Sequence, residues 1–196
     1  FVISATWGNE FWSGYRTSLT AFFQRREGNP VSAVFGGSPY SSDIGDTGGR
    51  ARNLLYVPTV ASDPLVQFDS GIDTDEFFAW VDQNDLTRGE IQTPGRLQAA
   101  WQTDLDLRFQ QEIPFFGQAK AKIYRDIENV LNMLNDEWGA KRYIETTDIG
   151  SAVAVVNATI DSGTDTYIYQ SFTRPTQVID QFDSLYRVQL GIRADF

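Results

Sequence analysis

The last eleven residues, Tyr186-Arg-Val-Gln-Leu-Gly-Ile-Arg-Ala-Asp-Phe196, constrain the fold more than any other stretch of this chain. Tyr186, Val188, Leu190, Ile192, Ala194 and Phe196 share one face of an extended strand, and Arg187, Gln189, Gly191, Arg193 and Asp195 share the other. A soluble protein seldom finishes this way, because termini fray and a long two-faced edge strand invites aggregation. A transmembrane β-barrel does. Its closing strand pairs with the first, with apolar side chains toward lipid and polar ones toward the lumen.

Four more segments alternate in the same way. Phe1, Ile3, Ala5, Trp7 and Phe11 oppose Ser4, Thr6, Gly8 and Glu10. Leu19, Ala21 and Phe23 oppose Arg16, Ser18, Thr20 and Gln24, with Phe22 an apolar exception on the polar side. Leu105, Leu107 and Phe109 oppose Asp104, Asp106, Arg108, Gln110 and Glu112. Ala119, Ala121, Ile123 and Ile127 oppose Lys120, Lys122, Tyr124, Asp126 and Glu128, while Arg125 interrupts the apolar side. Each run is about ten residues, the length a tilted strand needs to cross hydrocarbon. The expected membrane strands therefore cover about 1–11, 16–25, 103–113, 118–129 and 186–196.

The connections sort into short and long. Trp12-Ser13-Gly14 and Pro114-Phe115-Phe116-Gly117 are tight turns, whereas residues 28–102 and 132–184 form long inserts. Outer-membrane barrels pair short periplasmic turns with long extracellular loops. The strands then run down and up twice and end with the C-terminus in the periplasm. Phe11, Trp12, Tyr15, Phe115, Phe116 and Phe196 would form a periplasmic aromatic girdle.

The inserts carry structure of their own. Val31–Phe35 and Leu54–Val57 read as a hairpin whose tip is the Gly-, Ser- and Asp-rich stretch Ser38–Arg52. Asp73-Thr-Asp-Glu76 followed by Phe77, Phe78, Trp80 and Val81 reads as a capped amphipathic helix ending near Asn84. Ala152–Ile160 and Thr166–Phe172 flank Asp161–Asp165 as a second hairpin.

Composition removes several functions. With no cysteine and no histidine, disulfides, thiolate catalysis and the commonest general base and metal ligand are lost, so no catalytic and no metal-site residues are assigned. A net charge of −10 argues against nucleic acid as a partner. No apolar run reaches the length of a membrane helix. Phe1-Val2-Ile3-Ser4 is neither an initiator nor a signal peptide, so the chain reads as a piece of something longer.

Leu105–Ile113 followed by Ala119–Asn132 resembles the penultimate hairpin of TonB-dependent receptors, with Asn129-Val130-Leu131-Asn132 as the strand-ending motif and Asn135-Asp-Glu-Trp138-Gly139 after it. Leu190–Phe196 resembles the family's closing strand, and the terminal Phe196 resembles the assembly signal of outer-membrane proteins. Arg26–Ser32 and Asn53–Pro58 resemble loop motifs of the Oar-like branch. The resemblance implies an all-β protein, the C-terminal strands of an antiparallel transmembrane barrel of 22 strands, with long extracellular loops containing hairpins and one short helix. It implies TonB-energised uptake of a scarce ligand, and location in a bacterial outer membrane. The implied partners are the rest of the barrel and its N-terminal plug, TonB through that missing part, the barrel assembly machinery, and outer-membrane lipids with lipopolysaccharide. Tyr186, Leu190, Gly191, Ile192 and Phe196 would carry the assembly signal.

Two further readings concern sites. Tyr56, Trp80, Trp138 and Tyr167 are candidate ligand-contacting aromatics, with a structural core as the simpler explanation of them. Asp43, Asp46, Asp69, Asp73, Asp75 and Glu76 are oxygen-rich enough to suggest a calcium ion, although their spacing is not that of an EF-hand and solvated loop acids explain them more simply; no other cofactor is expected. The alternative to a receptor portion is a small complete barrel serving as an adhesin or structural protein.

Overall fold

The computed structural model describes residues 1–36, 53–117, 119–146 and 151–195. Along the chain run β1 (Val2–Trp12), β2 (Tyr15–Arg26), β3 (Pro30–Gly36), β4 (Tyr56–Val57), β5 (Val66–Phe68) and α1 (Thr74–Gln83). There follow β6 (Glu90–Ile91), β7 (Leu97–Gln98), β8 (Gln102–Pro114), β9 (Lys120–Glu128), α2 (Val130–Leu134) and β10 (Arg142–Ile144). The chain continues through β11 (Ala152–Asp161), β12 (Thr166–Phe172), β13 (Gln177–Ile179), α3 (Gln181–Ser184) and β14 (Arg187–Asp195). The fold is all-β, and the described helices are short.

Two compact units divide these elements. Unit 1 takes residues 1–27, 100–142 and 179–196; unit 2 takes 28–99 and 143–178. Unit 1 holds one antiparallel sheet in the order β1-β2-β8-β9-β14. Its strands are 11, 12, 13, 9 and 9 residues long. All five coincide with the alternating segments of the sequence. The sheet is open, with β1 and β14 as its edges.

Unit 2 is a mixed sheet, β5-β12-β11-β3-β7, with α1 contributing to its core. The hairpin β11–β12 and the helix α1 lie where the sequence places them. The first insert departs from its expected simple hairpin. Backbone bonds do join Phe35 to Asn53 and Leu55 to Ala33, but Tyr56–Val57 then leaves to pair with β6. The main neighbour of β3 is β11, in parallel, with Ser32 opposite Ala152. β5 likewise joins β12 in parallel. The reason is burial: Val31, Ala33, Val34 and Phe35 are all buried, and a strand covered on both faces suits an interior position. The stretch 38–52 lies outside the described residues.

Helix α1 forms because Asp73 caps it, accepting from the backbone N–H groups of Asp75 and Glu76 at 3.0 Å each. Phe77, Trp80 and Val81, at helical spacing, are its buried stripe. Phe77 is fully buried, with ring centroids of Phe172, Phe68 and Tyr169 at 5.3, 5.7 and 6.2 Å. Among the described residues α2 and α3 add two short helices to the one that was expected.

Candidate functional site

Residues paired across antiparallel strands project from the same face, so the register of unit 1 turns alternation along strands into rows across the sheet. One face carries the rows Ala5–Ala21–Leu107–Ile127–Val188 and Trp7–Leu19–Phe109–Arg125–Leu190. The neighbouring row Ile3–Phe23–Leu105 extends it. Trp7, Leu19, Phe109, Val188, Leu190 and Ile192 are 42–73% exposed, so a broad apolar surface lies open. Below it, toward the turns, Trp12 stacks obliquely on Tyr15 at 5.1 Å and Phe115 meets Phe116 edge-on at 5.5 Å. At the opposite end Arg25 lies over the Trp101 ring at 5.2 Å.

The other face is polar and bonded across the strands. The hydroxyls of Thr6 and Thr20 are 3.0 Å apart. In the same row Arg108 donates from Nε and Nη2 to both carboxylate oxygens of Asp126, at 2.6 Å each. This bidentate geometry is the strong form of a charged hydrogen bond. Two rows along, Glu112 accepts from the backbone N–H of Arg16 at 3.2 Å and from Lys120 Nζ at 3.5 Å. Lys141 reaches Asp104 at 3.4 Å. Gly191 is on this face, opposite Tyr124, and a Cβ there would overlap the Tyr124 ring. Glycine at 191 thus lets the ring lie across β14. The sequence marked Gly191 only as part of a terminal motif; its partner is visible only from the register.

Where β9 ends, Asn129 adopts a left-handed conformation, φ 52°, as a strand-ending asparagine can. Its Nδ2 donates to the carbonyls of Ser184 (2.7 Å) and Gly139 (3.1 Å), and its N–H donates to Asp106 (2.8 Å). The motif therefore ties three chain segments together.

Of the four candidate aromatics, Tyr56, Trp80 and Tyr167 belong to unit 2 and Trp138 to unit 1. Tyr56 and Tyr167 do come together, stacked at 5.9 Å, and Tyr167 also stacks on Phe35 at 5.3 Å. Tyr56 and Trp80 are only 7% and 2% exposed, turned into the core of unit 2. Trp138 belongs to unit 1 and is exposed. Of the terminal-strand residues, Tyr186, Leu190 and Ile192 are exposed and Gly191 is half-buried; Phe196 lies outside the described residues.

A carboxylate that sequence reading passed over holds the loop after β4. Asp63 is buried, and it accepts from Thr59 N–H (2.8 Å), Thr59 hydroxyl (2.9 Å), Leu65 N–H (3.0 Å) and Tyr56 hydroxyl (3.3 Å). Burial alone would raise its pKa, but these donors outweigh it and hold the carboxyl below its ordinary value. Burial pushes the Tyr169 phenol well up, and its hydroxyl donates to the Tyr56 carbonyl. The only signal for the Asp63 loop was the Asp-Pro turn at 63–64.

Asp43 and Asp46 lie outside the described residues, and the Asp73 carboxylate is spent on its helix cap. Among the described residues no group of three or more acidic side chains converges as a metal site would require. No described helix is long and apolar enough to cross a membrane, which says nothing of strands. Comparison with protein-family models, with curated proteins and with solved structures finds no match to this chain.

Proposed function

We propose that unit 1 is part of the wall of a transmembrane β-barrel in a bacterial outer membrane, and that the chain is the C-terminal barrel portion of a TonB-dependent receptor taking up a scarce ligand. One observation carries the reading: a five-stranded antiparallel sheet with an exposed apolar face backed by a hydrogen-bonded polar face. In water such an apolar face is an association hazard. In lipid it is the expected outer surface, and the polar rows become the lumen wall. The resemblance of residues 105–132 and 190–196 to the receptor family supplies the transport function.

The reading has a structural requirement. Unpaired backbone groups at the edges of β1 and β14 would cost several kcal/mol each in hydrocarbon. Further strands must flank both edges, which is the place for the remainder of a 22-stranded barrel around its plug. TonB would be engaged through that remainder, and β14 would be offered to the barrel assembly machinery. The apolar face would meet lipid and lipopolysaccharide. No catalytic role is proposed for any residue.

The chain has no native cysteine, so single cysteines report cleanly. In lipid vesicles, Thr20→Cys should react with a water-soluble maleimide and Leu19→Cys should not. Equal labelling of these neighbours would sink the wall assignment. The intact mass of native protein extracted in mild detergent separates receptor from small barrel. A species several-fold heavier than 22.1 kDa supports the receptor, whereas a folded 22.1 kDa species supports the small complete barrel.

A further inference from the structure

One charged side chain interrupts the apolar face of unit 1 well inside its rows. Arg125 lies in the row Trp7–Leu19–Phe109–Arg125–Leu190, with Phe109 and Leu190 opposite it on the two neighbouring strands. Ile123 and Ile127 flank it along β9 on the same face. Arg125 is exposed, and among the described residues no ion pair and no side-chain hydrogen bond engages it. The other cation of this face is Arg25, laid over the Trp101 ring at the far end. No Asp or Glu occupies a paired position of the face. An arginine set among lipid-facing residues is costly unless an anion meets it.

We infer that Arg125 binds a phosphate of lipopolysaccharide in the outer leaflet, whose acyl chains lie along the apolar rows beside it. The inference rests on the reading of unit 1 as a barrel wall, and it gives one residue of that wall a defined lipid partner.

Charge selects this occupant over a second copy of the chain. Two copies meeting through this face would bring arginines together with no carboxylate to receive them. A phosphorylated lipid supplies the anion and the apolar chains in one molecule. The guanidinium fork also matches phosphate oxygens better than a point charge would.

Depth agrees with the assignment. Glu128, the last residue of β9, is three positions beyond Arg125, or about 10 Å of strand. A tilt of roughly 35–45° reduces this to about 7–8 Å in depth. A long arginine stem covers such a distance, lying on apolar surface while its head reaches the headgroups. β9 climbs away from the tight turn at 114–117, so these headgroups belong to the outer leaflet in the orientation proposed above.

The test uses the full chain in neutral-detergent micelles, titrated with bisphosphorylated lipid A, with dephosphorylated lipid A and with phosphatidylglycerol. Saturable binding of bisphosphorylated lipid A is expected, weakened about tenfold or more by Arg125→Gln and by loss of the phosphates. Arg125→Lys keeps the cation and should retain most of the affinity, which separates loss of charge from loss of fold. Arg187→Gln removes a cation of the polar face and should change nothing. Unchanged binding in Arg125→Gln, or equal weakening by Arg187→Gln, overturns the inference. Equal affinity for phosphatidylglycerol overturns the assignment to lipopolysaccharide. A dimer in place of lipid binding, lost in Arg125→Gln, gives the face to a second copy and overturns it as well. Cysteine labelling at Leu19 and Thr20 in vesicles reports the wall reading independently, so its failure is seen apart from failure of the lipid site.

Discussion

The carboxylate of Asp63 stays charged although buried, because four donors converge on it. Its folded pKa lies below the unfolded value of about 3.9, so its contribution is complete above that pH and is lost as pH falls through the folded pKa. Asp161, held low by the Gly163 N–H and the Thr164 hydroxyl, acts in the same direction. Unit 2 should therefore lose thermal stability below about pH 4. Asp63→Asn should flatten that acid limb and cost about 1–3 kcal/mol at neutral pH, read by melting across the range. A core counterpart is Phe77→Ala, expected to cost about 3–5 kcal/mol in urea unfolding because Phe77 is fully buried among aromatic rings. Gly139 has φ +65°, and a Cβ there would strike the Asn129 side chain. Gly139→Ala should thus destabilise by roughly 1–3 kcal/mol, with loss of protease resistance around residues 129–142.

Helix α1 and the long strands follow from local rules that a sequence displays openly. Removing the cap with Asp73→Ala should cost about 1 kcal/mol, measured by chemical denaturation of the full chain. The period of two marked β1, β2, β8, β9 and β14 because each has one apolar and one polar face. The period near 3.6 marked Phe77, Trp80 and Val81. Asn129 was legible as a strand-ending residue, since few side chains tolerate its backbone. What stayed hidden was partnership. Alternation says which way a side chain faces but not which strand lies beside it, so the parallel pairs β3–β11 and β5–β12 left no local trace. β4, β6 and β7 are two residues each, too short to show any period. The aromatics were ambiguous for a related reason: Tyr56 and Trp80 have the composition of a binding surface, and only packing reveals that they fill a core.

At the scale of the whole molecule, five tryptophans sample different surroundings. Trp7 is 54% exposed on the apolar sheet face, whereas Trp80 is 2% exposed in the core of unit 2. In vesicles of brominated lipid, a variant retaining Trp7 alone should be strongly quenched and one retaining Trp80 alone should not. Equal quenching would remove the lipid-facing assignment. The sequence has no apolar run as long as a membrane helix, and that bears neither way on alternating strands. The pairing of Ser32 with Ala152 has one more consequence, and it concerns time. Between those two residues lie β8 and β9, so the central strand pair of unit 2 cannot close until both have been delivered. Loop closure over such a distance adds little to the equilibrium cost but slows the step. Unit 2 therefore behaves as a clock on biogenesis: protease resistance at Tyr169 should appear late, after the hairpin that joins β8 to β9, and so date the moment at which the intervening strands arrived.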